Sequence, residues 1–236
     1  MEKIFKALSA LLSYPELELQ TTAPELRRII DEETFLTPDC RRLLDALIEE
    51  IATGDLYDLQ ERYVELFDRT RSLSLHLFEH VHGESRDRGQ AMIDLKSLYD
   101  QNGLCLSSAE LPDYLPAFLE FLSTRPLAEA RTLLGQPAHV LGALADRLHK
   151  RRSSYETVFQ ALAVLAAPAP DAPNIEVVPE GPDSDPNDLA ALDAQWEEEA
   201  VSFGPEAASN CREQLFAKIR AARRPPADVP ASGDRP

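Results

Sequence analysis

The side chains best equipped for chemistry in this 236-residue sequence stand in one short run, His76-Leu77-Phe78-Glu79-His80. The spacing matches H-x-x-E-H, in which two histidines one helical turn apart hold a zinc ion and a glutamate between them acts as base. If residues 73–82 are helical, Leu75, Leu77, Phe78 and Val81 share one face. His76, Glu79 and His80 then lie opposite, with His82 at the apolar edge. A zinc hydrolase needs a further carboxylate ligand on a packed helix, and nothing downstream singles one out. The nine glycines are scattered singly, so no phosphate-binding loop can be read, and no G-x-S-x-G elbow occurs. Cys40, Cys105 and Cys211 are far apart and odd in number, which gives neither a disulfide framework nor a metal clip. The expectation is a protein with no catalytic residue, no metal and no cofactor.

The run sits in a wider segment, 69–92, dense in polar side chains. It holds three of the five histidines, with Arg86 and Arg88 beyond Gly83. Large apolar groups interleave with groups able to donate and accept hydrogen bonds. Such a stretch is either an ordinary helix–turn–helix with a charged exterior or a recognition surface for a peptide helix.

The elements that must position these groups are helical. Leu and Ala total 65 residues against 17 for Val and Ile, an excess of helix formers over β-branched residues that predicts an all-α fold. Residues 38–52 place Leu43, Leu44, Leu47, Ile48 and Ile51 on one stripe, with Thr37 as N-cap and Pro38 at the first helical position. Residues 55–67 continue with Leu56, Leu59, Tyr63, Leu66 and Phe67. Ser107-x-x-Glu110 and Ser153-x-x-Glu156 read as capping boxes. The first would open a helix carrying Leu115, Phe118, Leu119 and Leu122, the second one carrying Tyr155, Val158, Phe159 and Leu162. Between them Pro137 starts a helix with Val140, Leu141, Leu144 and Leu148. About eight to ten helices with short connections form a single bundle-like domain over residues 1–167.

Composition then changes. Residues 168–187 form an acidic, proline-rich linker, 188–223 a helical segment and 224–236 a disordered tail. From Pro168 to Cys211 there are 11 acidic residues and no Lys or Arg. The flexible acidic extension is either a solvated tether or a mobile lid or lure for a basic ligand. The whole chain carries 41 acidic against 24 basic side chains, a formal charge of −17. That charge disfavours nucleic acid and anionic membrane surfaces as partners. Ser9 and Ser13 interrupt the stripe of Ile4, Phe5, Leu8, Leu11 and Leu12, so the start is no secretory segment. The apolar run 158–167 is about half the length of a membrane span. A cytoplasmic protein that neither inserts into a membrane nor is exported is expected.

The run YVELFDRTRSLSLHLFEHVHGESRDRGQAM, residues 63–92, resembles the signature stretch of the respiratory nitrate reductase assembly chaperones. These are the NarJ-type (delta-chain) branch of the redox-enzyme maturation proteins. Tyr63-x-x-Leu66-Phe67 matches the wider family's aromatic-x-x-Leu-Phe element, and Glu110-Leu111-Pro112-Asp113-Tyr114 resembles its second element. Tyr114 stands where the wider family usually has His, and Leu111 intervenes before the proline. The resemblance covers approximately residues 1–165, and the acidic C-terminal portion matches only in general character.

The resemblance implies a non-catalytic, all-helical chaperone. Such proteins bind the apo catalytic (alpha) subunit of the membrane-bound nitrate reductase, including its N-terminal segment, and keep it competent for molybdenum cofactor insertion. They delay membrane docking until maturation is complete and then leave. An apolar groove with an acidic rim suits a client segment that is basic or amphipathic and folds into a helix on binding. In that groove Tyr63, Leu66, Phe67 and Phe78 would form walls. His76, Glu79, His80, His82, Arg86 and Arg88 would supply polar contacts. Pro112 would interrupt the ladder early in the next helix and so aim Asp113 and Tyr114. The four apolar residues serve equally as plain core, and Asp113 as a helix cap. With His80 and His82 on the binding face, client affinity should change between about pH 6 and 8. The alternative function is a helical adaptor for some other amphipathic helix.

Overall fold

Most apolar stripes in the first 167 residues become helices, because burying a stripe against a neighbour is what stabilises the turn. A computed structural model describes residues 3–82, 86–107 and 110–167. The side chains of His82, Arg86 and Asp87, and the expected linker, helical segment and tail beyond residue 167, lie outside the described residues. Ten α-helices are described: α1 (Lys3–Leu11), α2 (Leu17–Glu32), α3 (Pro38–Thr53), α4 (Leu56–Tyr63), α5 (Glu79–His82), α6 (Arg86–Gln101), α7 (Leu115–Ser123), α8 (Leu127–Leu134), α9 (Ala138–Lys150) and α10 (Glu156–Leu165). The fold of the described residues is all-helical, as the composition predicts.

Three pairings dominate: α1 on α7, α2 on α3, and α9 on α10. One continuous apolar core runs through them, with Phe5, Leu8, Leu47, Phe121, Leu144 and Phe159 fully enclosed. Each such side chain contributes about 1.5–3 kcal/mol by leaving water.

Local signals set several boundaries. Thr37 Oγ1 accepts from the Cys40 N–H at 3.2 Å, and Pro38 opens α3. At the other end, a side chain on Gly54 would meet the Glu50 carbonyl at 2.7 Å, so only glycine fits that close approach. Gln20 of α2 donates to the Ile51 and Gly54 carbonyls, both at 2.9 Å, and so satisfies the exposed end of α3.

Three sequence expectations need correction. The helix predicted over 55–67 is α-helical only to Tyr63; Val64–Asp68 is a π-helical turn, with the Arg69 N–H on the Val64 carbonyl. The wider turn keeps Tyr63 and Phe67 both inward, with ring centroids 5.0 Å apart, and leaves Leu66 half-buried. The capping box at Ser107 opens no helix, since α7 begins at Leu115 with Pro116 in its first turn. Pro112 therefore precedes α7 and does not interrupt it. The box at Ser153 is a turn ahead of α10: its carbonyl accepts from Glu156 N, and the cap position belongs to Tyr155.

Candidate functional site

Residues 73–82 do not form the continuous helix that H-x-x-E-H requires. Arg71–Leu73 is one 3-10 turn, α5 begins only at Glu79, and between them the chain makes a single bridge at His76 beside Tyr114 and then turns at residues 77–78. The cause is competition for backbone donors. The Leu77 N–H goes to the Asp113 carbonyl at 3.0 Å, and the Phe78 N–H goes to Asp113 Oδ2 at 3.2 Å. Leu115 N–H returns to the Leu75 carbonyl at 2.9 Å, which completes an antiparallel bridge between His76 and Tyr114.

Asp113 is the hub of this clasp and has no solvent exposure. Its Oδ1 stands 3.1 Å from His76 Nδ1. That bond holds the His76 pKa above the usual histidine value, against the opposing effect of partial burial. Asp113 thus joins two segments and caps no helix. Beneath it, Tyr99 of α6 donates to the Pro112 carbonyl at 2.8 Å and packs on Phe121 of α7.

His80 is buried, contrary to its expected place on a polar face. Its Nε2 lies 2.7 Å from the Ser74 carbonyl, so this nitrogen carries the proton. Nδ1 faces the Arg147 guanidinium at 3.5 Å, where only a lone pair is tolerated. Burial pushes the His80 pKa down, which agrees with a neutral ring. Both histidines are thus committed to structural partners, and no cluster of three potential metal ligands occurs among the described residues. Glu79 pairs with Arg88 at 3.3 Å.

The structure also shows where the expected groove residues sit. Tyr63, Phe67 and Phe78 are buried in the core, and the rings of Tyr63 and Phe67 pack on each other and on Tyr155. The Tyr63 hydroxyl donates to the Leu12 carbonyl at 2.9 Å and lies 3.1 Å from the Tyr114 hydroxyl. Burial raises the pKa of both phenols. Tyr114 links this cluster to the surface, since its ring also lines a cleft, and Tyr14, exposed and edge-on to Tyr63 with centroids 5.6 Å apart, links it at a second point.

That cleft lies between α1 and α7, beside residues 104–106 and Glu110. Ser9, Ser13, Pro116 and Ala117 form its floor, Leu104 and Leu106 one wall, with Cys105, Glu110, Tyr114 and Glu120 around them. Ser9 Oγ donates to the Pro116 carbonyl at 2.8 Å, which pins α1 to the start of α7. The volume, about 100 Å³, is well below the roughly 300–1,000 Å³ of small-molecule pockets. It is a recess for one or two protruding side chains. Leu111, 46% exposed, extends the apolar surface beside it. Sequence reasoning found Tyr114 here but missed Ser9, Leu104, Leu106 and Glu120. The alternating apolar residues of Leu104-Cys105-Leu106 were the available signal.

Fold and cleft define an all-α protein whose candidate site is a shallow, acid-rimmed surface recess. The sequence model of the family described as nitrate reductase delta subunit matches residues 33–161, and the chain belongs to that family. It is 44% identical over 198 residues to the nitrate reductase molybdenum cofactor assembly chaperone NarJ of Escherichia coli strain K12, covering 83% of each chain. To the probable assembly chaperone NarW of the same strain it is 40% identical over 210 residues, 89% of this chain and 87% of that one. To the probable NarJ chaperone of Bacillus subtilis strain 168 it is 33% identical over 161 residues, 67% of this chain and 85% of that one. No described helix is long and apolar enough to cross a membrane.

Proposed function

We propose that this protein is a dedicated, non-catalytic cytoplasmic chaperone for the catalytic subunit of a membrane-bound respiratory nitrate reductase. It binds the apo subunit through that subunit's N-terminal segment and holds it for molybdenum cofactor insertion. It then releases the subunit for membrane docking. Membership of the delta subunit family and 44% identity to an assembly chaperone over most of both chains support the role.

The observation that carries the contact is the cleft between α1 and α7. A helix laid across it would place apolar side chains against Leu104, Leu106, Leu111 and Tyr114, and a basic residue between Glu110 and Glu120. Tyr63, Phe67 and Phe78 act from beneath, by fixing Tyr114 and the clasp. Leu66, His76, Glu79 and Arg88, partly exposed, are contacts at the edge, and His82 and Arg86 belong to the same proposal. Pro112 and Asp113 set the path of the chain into the cleft.

Calorimetric titration with the N-terminal peptide of the nitrate reductase catalytic subunit tests this, with an unrelated basic amphipathic peptide as control. Tight, salt-resistant binding of the first alone is expected, reduced at least about tenfold by Leu106→Asp. Equal and salt-sensitive binding of both peptides would overturn it.

A further inference from the structure

Each of the three hydroxyl groups that line the cleft between α1 and α7 has its proton committed to the fold. Ser9 Oγ donates to the Pro116 carbonyl at 2.8 Å, and Ser13 Oγ donates to the Ser9 carbonyl at 2.9 Å. Tyr114 ends a relay. The Tyr63 hydroxyl gives its proton to the Leu12 carbonyl at 2.9 Å, so over the 3.1 Å between the two phenols Tyr114 is the donor and Tyr63 the acceptor. A hydroxyl has one proton and two lone pairs. All three oxygens therefore keep lone pairs and have no proton left to offer a ligand.

Other donors are scarce there. At the start of α7 the Leu115 N–H goes to the Leu75 carbonyl, Pro116 has none and the Phe118 N–H goes to the Tyr114 carbonyl, which leaves that turn only Ala117 to offer one. Cys105 adds a weak S–H donor. Glu110 is exposed at the rim, and Glu120 stands 3.6 Å from Lys6 in a pair open to solvent. Such a pair is weak, and with Glu110 the rim stays net negative. A carboxylate entering this site would set acceptor against acceptor, and an amide would bring an acceptor with its donors. A guanidinium brings five N–H donors in one plane and no acceptor, and it sheds water more readily than an ammonium. The dimensions agree. About 100 Å³ holds one head group, while Leu104 and Leu106 offer an apolar wall to a methylene stem and Tyr114 a ring face to a planar cation.

We infer that the cleft is an arginine socket: Ser9, Ser13 and Tyr114 accept from the guanidinium, Leu104 and Leu106 cover its stem, and Glu110 balances its charge. This specificity rests on the client reading above only for what carries the arginine.

Titration of the full chain with acetyl-arginine methylamide, followed by amide NMR, tests it without any client. The probe should shift the signals of Ser9, Ser13, Leu104, Cys105, Leu106 and Ala117. Acetyl-citrulline methylamide, the same shape with a neutral ureido group that carries an acceptor, should bind at least about tenfold more weakly. Tyr114→Phe keeps the ring and leaves Tyr63 on Leu12, and Ser13→Ala removes a second acceptor; each should weaken the arginine probe about threefold to tenfold. No shift at the cleft, an equal response to both probes, or unchanged binding by both variants would overturn the socket. Titration of the client peptide separates the two readings. Binding that is indifferent to citrulline at every arginine removes the socket and leaves the client, whereas probe binding without peptide binding does the reverse.

Discussion

The α2–α3 pair and the clasp around Asp113 are built from opposite materials. In α2 and α3 the buried contacts are aliphatic: Leu19, Leu26 and Ile30 face Leu44, Leu47 and Ile51. Charges such as Arg27, paired with Asp45 and Glu49, stay at the periphery. In the clasp the buried contacts are polar, and one carboxylate joins two segments more than thirty residues apart. Aliphatic contacts tolerate small changes of register because they have no direction. Hydrogen bonds do not, so the clasp fixes where the chain passes while the helix pair supplies bulk stability.

Substitution of Asp113 by Ala should produce the largest effect, about 4 kcal/mol, because it leaves buried donors without their acceptor. Urea unfolding measures the loss. Hydrogen exchange should show it first at residues 75–78 and 113–115, and a loss below about 1 kcal/mol would remove the clasp from the account. Leu47→Ala, at a fully buried position of α3, should cost about 3 kcal/mol. It should raise exchange throughout the core, with no preference for the clasp; an effect confined to α3 would contradict this. Thr37→Ala removes one cap bond and should cost about 1 kcal/mol, read as a shift of the urea midpoint.

The smallest effects come from pH, and the two clasp histidines should act in opposite directions. His76 has a raised folded pKa, so its stabilisation is complete below the unfolded value near 6.5 and is lost as pH rises through the folded value. His80 has a lowered folded pKa, so its environment favours folding above about 6.5 and that advantage is lost as pH falls through the folded value. His76→Gln should therefore flatten the alkaline side of the stability profile and His80→Asn the acid side. Midpoints measured between about pH 5 and 8.5 would show either change. With His80 buried, the pH dependence expected of client affinity shifts to the half-buried His76.

The same contrast decides what could be read from the amino acids. The boundaries of α3 were legible because Thr37, Pro38 and Gly54 act within a few residues of where they stand. The stretch 73–82 was misread because its donors are taken by a carboxylate 35 residues distant at Phe78. His80 followed that error onto a solvent face. Tyr63, Phe67 and Phe78 were identified as important, but helical spacing cannot separate a groove wall from the layer beneath it. Tyr114 and the Glu110–Tyr114 element were legible as a motif. Ser9 and Glu120 were not, since they meet Leu104 and Leu106 only through the packing of α1 on α7.

That packing has a consequence during synthesis. Ser9 and the Pro116 carbonyl it holds are 107 positions apart. At about 5–20 residues per second the first helix is therefore made on the order of ten seconds before its partner exists. For that interval Ile4, Phe5, Leu8 and Leu11, all buried in the finished fold, have no native surface to cover them. Closure of so distant a pair is slow in itself, so docking of α1 is expected among the last events of folding. The cleft between them, and with it the proposed client site, exists only once the first and seventh helices have met.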